Sequence, residues 1–178
     1  MIRGIIIMIY GRKIILKPLF EENISKVIEV LKGESSKYLS EKFGANMDED
    51  KLYNYFYNNL TSVKSNNIYF LVLTKSYKTL GYASIENINW VNGNAEYSIL
   101  ISENRLGLGY GSLVGQMIIN FCFQELNLIK VYSKICLDNN RLISQLRNKE
   151  EYQTINNVVI NDKKYSYYYN EVIRPKIL

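Results

Sequence analysis

Residues 95–122 join three signals in one stretch. Ala95, Tyr97, Ile99 and Ile101 alternate with Glu96, Ser98 and Leu100 as a strand requires. Leu113, Met117 and Phe121 recur at four-residue spacing, with Val114, Ile118 and Cys122 in the adjacent row, as on one side of an amphipathic helix ending near Asn127. Between them stands Arg105-Leu106-Gly107-Leu108-Gly109-Tyr110-Gly111-Ser112. A strand that passes through a glycine-rich turn into a long apolar helix must fold that helix back onto a sheet, which limits the chain to α/β or α+β architectures. Glycines let backbone amides turn toward one point, and a helix start adds unsatisfied N–H groups and the positive end of its dipole. Such a segment can cradle the oxygens of a diphosphate. A plain tight turn needing glycine backbone angles explains the glycines equally well. The segment is not a Walker A loop, since no Gly-Lys-Ser/Thr follows, and it does not sit after an early parallel strand as a dinucleotide fingerprint would.

The remaining elements arrange themselves around this segment. Lys13–Leu16 reads as a short strand stopped by Pro18, and Ile24, Val27, Ile28 and Leu31 as a helix ended by Gly33. Asp48 and Glu49 open a second helix carrying Leu52, Phe56, Leu60 and Val63. Ile68–Thr74 and Leu80–Ile88 read as a central hairpin turning at 75–79, and Asn92-Gly93-Asn94 turns into the strand at 95–101. Val131–Leu137 is β-prone, Asn139–Arg147 reads as a short helix, and Tyr152–Ile173 as two strands turning at Asn161 and Asp162. The order β-α-α-β-β-β-α-β-α-β-β describes a mixed, mostly antiparallel central sheet flanked by helices, with one parallel crossover. One domain over 13–178 follows a leader at 1–12 that is either disordered or an edge segment, and Met8 is an alternative start.

Composition removes whole classes of chemistry. The 178 residues contain no histidine, so Ser-His-Asp and Cys-His catalysis and HExxH zinc sites are excluded. Two cysteines, Cys122 and Cys136, make neither a disulfide framework nor a CxxC pair, and no metal site is expected. A net charge of +5 favours anionic partners. The charges are scattered, however, so a solvated surface leads and a nucleic-acid-binding domain is only a runner-up. The apolar run Ile5–Ile9 is too short for a signal peptide and no segment approaches the roughly 20 residues of a membrane span, so the chain reads as cytoplasmic with no membrane partner.

The glycine segment resembles the acetyl-CoA loop of the GNAT family of N-acetyltransferases, Arg/Gln-x-x-Gly-x-Gly/Ala between a strand and a helix. Gly109 and Gly111 fall on its glycines, while Leu106 takes the Arg/Gln position with Arg105 one residue earlier. The likeness runs over residues 13–173, includes Ala95-Glu96-Tyr97, and has Asn139 opening the helix after the next strand. Within the family the chain looks most like the ribosomal-protein and polyamine acetyltransferases and the amino-sugar acetyltransferases of the pseudaminic acid pathway. Tyr69-Phe70-Leu71-Val72 and the helix end Phe121–Leu126 point to the latter.

This resemblance implies an acyl-CoA N-acyltransferase fold and direct transfer of acetyl from acetyl-CoA to an amine in a ternary complex. The cofactor would lie in a splay between the strand at 95–101 and the strand at 131–137, held by Leu106, Gly107, Leu108, Gly109, Tyr110, Gly111, Ser112 and Asn139. A backbone N–H among Ile99, Leu100 and Ile101, freed by a bulge, would hold the thioester oxygen. An acceptor amine with a solution pKa of about 10.4 must lose a proton, and Glu96 is the candidate base, with Glu86 second. A strand carboxylate paired to a nearby Lys or Arg is the competing reading of Glu96. The family's acid tyrosine falls on Leu146, with Glu150 and Glu151 where Gly-Phe would follow. Tyr152 or water then substitutes as the acid, or transfer is slow or lost.

The acceptor site would come from residues 34–63 and the late hairpin. Tyr38, Phe43, Tyr53, Phe56 and Tyr57 are candidates, although aromatics at helical spacing are more often core. A basic chain repels polycations, favouring a small-molecule amine on a neutral or anionic carrier, such as a nucleotide-linked amino sugar, or a protein N-terminal amine. The alternative is a CoA-binding module with weak or lost catalysis. The Tyr-rich terminal strands leave an edge that a second copy would cover as a homodimer.

Overall fold

Ile14–Leu16 and Ile68–Leu73 are apolar at consecutive positions, a pattern stable only where a sheet is covered on both faces. The computed structural model, which describes residues 8–39, 48–145, 153–160 and 163–175, shows such a sheet. Its strands are β1 (Ile9–Tyr10), β2 (Ile14–Pro18), β3 (Ile68–Thr74), β4 (Thr79–Asn89), β5 (Asn94–Ile101), β6 (Lys130–Cys136), β7 (Gln153–Ile160) and β8 (Lys163–Ile173). They lie in the order β1-β2-β3-β4-β5-β6-β8-β7. Every described pair is antiparallel except β5 with β6. The helices are α1 (Ile24–Leu31), α2 (Glu49–Thr61), α3 (Tyr110–Gln124) and α4 (Asn140–Gln145), with short 3-10 segments at Glu21–Asn23, Glu34–Leu39 and Glu103–Arg105. The expected mixed, mostly antiparallel sheet with flanking helices is the architecture found.

Alternation along the strands divides the core in two. Ile14, Phe70, Ala83, Ala95, Tyr97 and Val131 face α3, which answers with Val114, Ile118 and Cys122. Ile15, Tyr69, Leu71, Tyr82 and Leu100 face the other way, against Ile24, Val27 and Leu31 of α1 and Leu52 and Phe56 of α2. The Asp48 side chain accepts the Asp50 N–H at 2.9 Å and so caps α2, as the sequence predicts. At the far end of α3, Asn127 adopts φ 52° and Arg174 donates to its Oδ1 at 2.6 Å, placing a cation where the last carbonyls concentrate negative charge.

Both ends of the sheet are built from paired strands. Ile9–Tyr10 is a paired edge strand against β2, so that part of the leader is structured. The Tyr-rich β8 lies between β6 and β7 and completes the pairing of β6 over Lys130–Cys136, so β7 is the edge that the two terminal strands leave. The edges are β1 and β7. The Asn161–Asp162 turn lies outside the described residues.

Two measurements check this packing. A Cβ on Gly81 would overlap the Leu100 carbonyl oxygen and stand 3.1 Å from Ile101 Cα, so Gly81→Val should destabilise by about 1–3 kcal/mol in denaturant titration. Both cysteines are buried, and burial pushes the Cys122 thiol up to about 12 and the Cys136 thiol upward. The native protein should react slowly with a disulfide reagent at pH 8, releasing its two equivalents only on unfolding.

Candidate active site

β5 and β6 pair only through Asn94↔Lys130, Ala95↔Val131 and Glu96↔Tyr132. β5 nevertheless runs on to Ile101 and β6 to Cys136, so the two strands part into a wedge with Glu96 and Tyr132 at its apex. On its other side β5 stays in register with β4 from Glu86↔Glu96 to Gly81↔Ile101. Ser102 N–H donates to Leu80 O at 2.9 Å, so by the alternation of an antiparallel ladder Leu100, Ser98 and Glu96 turn their backbone groups to β4. Tyr97, Ile99 and Ile101 turn theirs to the wedge. This corrects the expected bulge at Ile99–Ile101: the irregularity lies between Glu86 and Asn89, near Asn87 at φ 53°. It also corrects Leu100, whose backbone pairs with β4 and whose side chain belongs to the α1/α2 core. Donors at Ile99 and Ile101 arise because β6 leaves, not because β5 buckles.

The glycine segment sits at the open end of that wedge. Gly107 and Gly109 both adopt φ 78°, a conformation that glycine takes at little cost. Gly109 is the N-cap of α3, and no side chain caps the helix there; no acidic residue stands in its first turn. The first intrahelical bond is Leu113 N–H to Gly109 O, which leaves the amides of Tyr110, Gly111 and Ser112 without intrahelical acceptors. Nothing lies within 4 Å of a Cβ built on Gly109 or Gly111. Gly107, Leu108, Gly109 and Ser112 are exposed, whereas Leu106 and Tyr110 pack their side chains against the core. An exposed cradle of amides at a helix start, beside a parted strand pair, fits a diphosphate-bearing ligand with an extended arm.

Asn139 is where the sequence places it: its Oδ1 accepts the Leu142 N–H at 3.1 Å, capping α4. Glu103, just before the loop, accepts the Ser35 N–H at 2.6 Å and so ties the segment after α1 to the wedge. Hydrogen bonding from Ser35 holds its carboxyl below the usual carboxylate range, with the charges of Arg141 and Lys37 adding to the effect.

On the α1/α2 face of the apex, Glu96 and Glu86 are cross-strand partners. Glu86 is buried and receives the Tyr82 hydroxyl at 3.3 Å. Glu96 Oε2 lies 3.7 Å from Lys134 Nζ, so the ion-pair reading of this carboxylate is realised. Tyrosines surround the pair. Tyr132 stacks on Tyr169 with centroids 4.9 Å apart, and Tyr55 meets the Tyr69 hydroxyl at 3.3 Å. Burial first, then nearby carboxylate or phenol charge, pushes Tyr55 and Tyr169 up to about 12 and Tyr132 upward, so these phenols stay protonated at ordinary pH. This face thus sets Glu86 and Glu96 beside the Lys134 ammonium among neutral phenols.

The aromatic candidates separate. Phe56 is fully buried against Tyr69 and Tyr82, so it is core and not pocket wall. Tyr53 and Tyr57 stack on the outer side of α2, and Tyr38 lies under Lys37. Phe43, Leu146, Glu150, Glu151 and Tyr152 fall outside the described residues. Sequence reading missed Tyr132, Lys134 and Arg141. The first two become partners of Glu96 only through parallel pairing, which spacing along the chain does not reveal. Among the described residues no group of three His, Cys, Asp or Glu could hold a metal, and no helix is long and apolar enough to cross a membrane.

A family model described as an acetyltransferase (GNAT) domain matches residues 13–147. Curated protein sequences give no match. Among solved structures, mutant forms of the spermidine/spermine N-acetyltransferase SpeG from Vibrio cholerae superpose with TM-score 0.73 at 16% identity, covering 92% of this chain and 95% of that one. A structure described as a probable acetyltransferase gives TM-score 0.74 at 16% identity, covering 94% and 97%. At such identity the structural likeness speaks for the fold, and the family model speaks for the family. With the parted strands, the glycine cradle at the start of α3 and the matching family model in hand, the chain belongs to the GNAT acetyltransferase domain family.

Proposed function

We propose that this protein transfers the acetyl group of acetyl-CoA to a primary amine by direct attack within a ternary complex. The observation that carries the reading is the wedge between β5 and β6, which ends at an exposed, uncapped helix start lined by glycines. Acetyl-CoA, when bound, supplies an activated thioester carbonyl and a thiolate leaving group. The amides of Tyr110, Gly111 and Ser112 would take its diphosphate. The Ile99 and Ile101 N–H groups, turned to the wedge, would replace lost strand pairing with hydrogen bonds to the arm and to the carbonyl oxygen as charge develops there.

At the apex, Glu96 would draw the proton from the incoming ammonium, directly or through water. A carboxylate is a far weaker base than the amine it would deprotonate, so its role is to relay the proton outward. Tyr132 is our candidate for returning a proton to the thiolate, because it remains protonated and stands where the wedge closes. A thiol near pKa 8.5 leaves without full assistance, which makes a family member lacking the usual acid tyrosine at 146 workable. The acceptor would approach from the α1/α2 face, where Glu86 and Glu96 oppose Lys134.

Calorimetric titration with acetyl-CoA, followed by thiol release on adding an amine panel, tests the reading. Binding with release is expected; binding without release would favour a CoA-binding module, and absence of binding would reject the cofactor. Gly111→Leu has open space and no positive φ to strain it, so it should fold with nearly unchanged Tm while weakening acetyl-CoA binding at least about 10-fold. Glu96→Gln should lower kcat about 10²-fold and leave acetyl-CoA affinity unchanged, read from steady-state kinetics beside calorimetry.

A further inference from the structure

The glycine segment 106–109 itself carries no charge: Leu106 packs an apolar side chain against the core, and the cation before it, the exposed Arg105, belongs to the Glu103–Arg105 turn. Across the wedge the opposite bank is different. Arg141 lies in the first turn of α4, after β6, and its guanidinium reaches over to the glycine loop. Nη2 stands 2.7 Å from the point that a Cβ on Gly107 would occupy, and Cζ 4.0 Å from it. Only the charged end of the side chain makes this approach. Its base is fixed, since Asn139 caps α4 two residues earlier. Glu103 is the carboxylate within electrostatic reach of it, and that carboxylate already accepts the Ser35 N–H.

Arg141 is exposed where it crosses, beside Gly107, Leu108 and Gly109, which are exposed as well. A guanidinium is planar and permanently charged, and it offers paired donors that match phosphate oxygens. It rests at the mouth of a gap whose other bank presents backbone amides to an anion. The glycine at 107 admits it, since any side chain there would compete for the same space.

We propose that Arg141 grips the diphosphate of the bound CoA moiety from the β6 side of the wedge, closing over a ligand that the glycine loop holds from the β5 side. This rests on the acetyl-CoA reading given above. Arg141 supplies the positive charge that Leu106 does not. It touches the cofactor and not the acceptor, so its loss acts on binding and not on the amine step.

The test compares the full chain with R141A, R141Q and R141K by calorimetry against CoA and 3′-dephospho-CoA, and by turnover with acetyl-pantetheine, a donor without phosphates. R141A and R141Q should each weaken CoA and 3′-dephospho-CoA about 10- to 100-fold and flatten the salt dependence of binding, with ligand-free Tm and acetyl-pantetheine turnover unchanged. R141K should recover part of the loss. Wild-type affinity in R141Q would overturn the proposal. So would an equal loss with acetyl-pantetheine, which marks a structural role, or a loss confined to CoA, which assigns the contact to the 3′-phosphate. Failure of the wild type to bind CoA would instead reject the cofactor reading itself.

Discussion

Two neighbouring parallel strands that stop pairing after Glu96 and Tyr132 leave backbone donors and acceptors facing a gap. Inside a protein such groups cost about 1–3 kcal/mol each when unsatisfied, so a gap of this kind persists only where water or a ligand can enter. Everything else in the structure keeps that gap open at one place and closed everywhere else. β4 holds β5 in unbroken register from Glu86↔Glu96 to Gly81↔Ile101, and β8 holds β6 from Lys130 to Cys136. Each bank is thus fixed by its outer neighbour. The inner sides are left free to serve a ligand.

The helices translate this parting into chemistry. α3 buries Val114, Ile118 and Cys122 on the sheet, which fixes where its N-terminus and dipole point. Ile99 Cδ1 would lie 3.6 Å from a Cβ on Gly115, so a small residue in α3 lets the helix lie close to β5. On the other face α1 and α2 cover Tyr69, Tyr82 and Leu100, but the sheet beyond them carries Glu86, Glu96 and Lys134 among tyrosines. One side thus carries exposed amides and the Arg141 guanidinium, and the other carries carboxylates, the Lys134 ammonium and protonated phenols. On the proposed reading, the acyl donor and the acceptor amine would meet at the apex from opposite sides. Net charge says nothing about this, because it averages over both faces.

Much of the fold was legible because its signals are local. Period-two alternation at 95–101, four-residue spacing at 113–122 and the Asp48 cap depend on neighbours a few positions away, and each element formed where its pattern lay. The glycine cradle was legible for the same reason, since Gly107 and Gly109 meet their positive φ within one loop. Misreadings came where the partner was remote. Ile99 and Ile101 were expected to gain a free donor from a bulge, yet the donor arises from the departure of β6. Phe56 stays open between core and pocket wall in the sequence, with core favoured, and only Tyr69 and Tyr82, from two strands, enclose it.

The sequence alone therefore determined the element order from β2 onward, the two-sided burial of the sheet and the glycine turn at the start of α3, because dihedral preference and side-chain periodicity are properties of short segments. Tertiary structure decided which groups share the site. Tyr132 and Lys134 reach Glu96, Glu86 faces it, and Arg141 crosses to Gly107 only because β6 lies parallel to β5 for three pairs and then leaves it. Those meetings depend on register and strand order. Register and strand order are set by the packing of the whole sheet between its helices, which no single stretch of sequence contains.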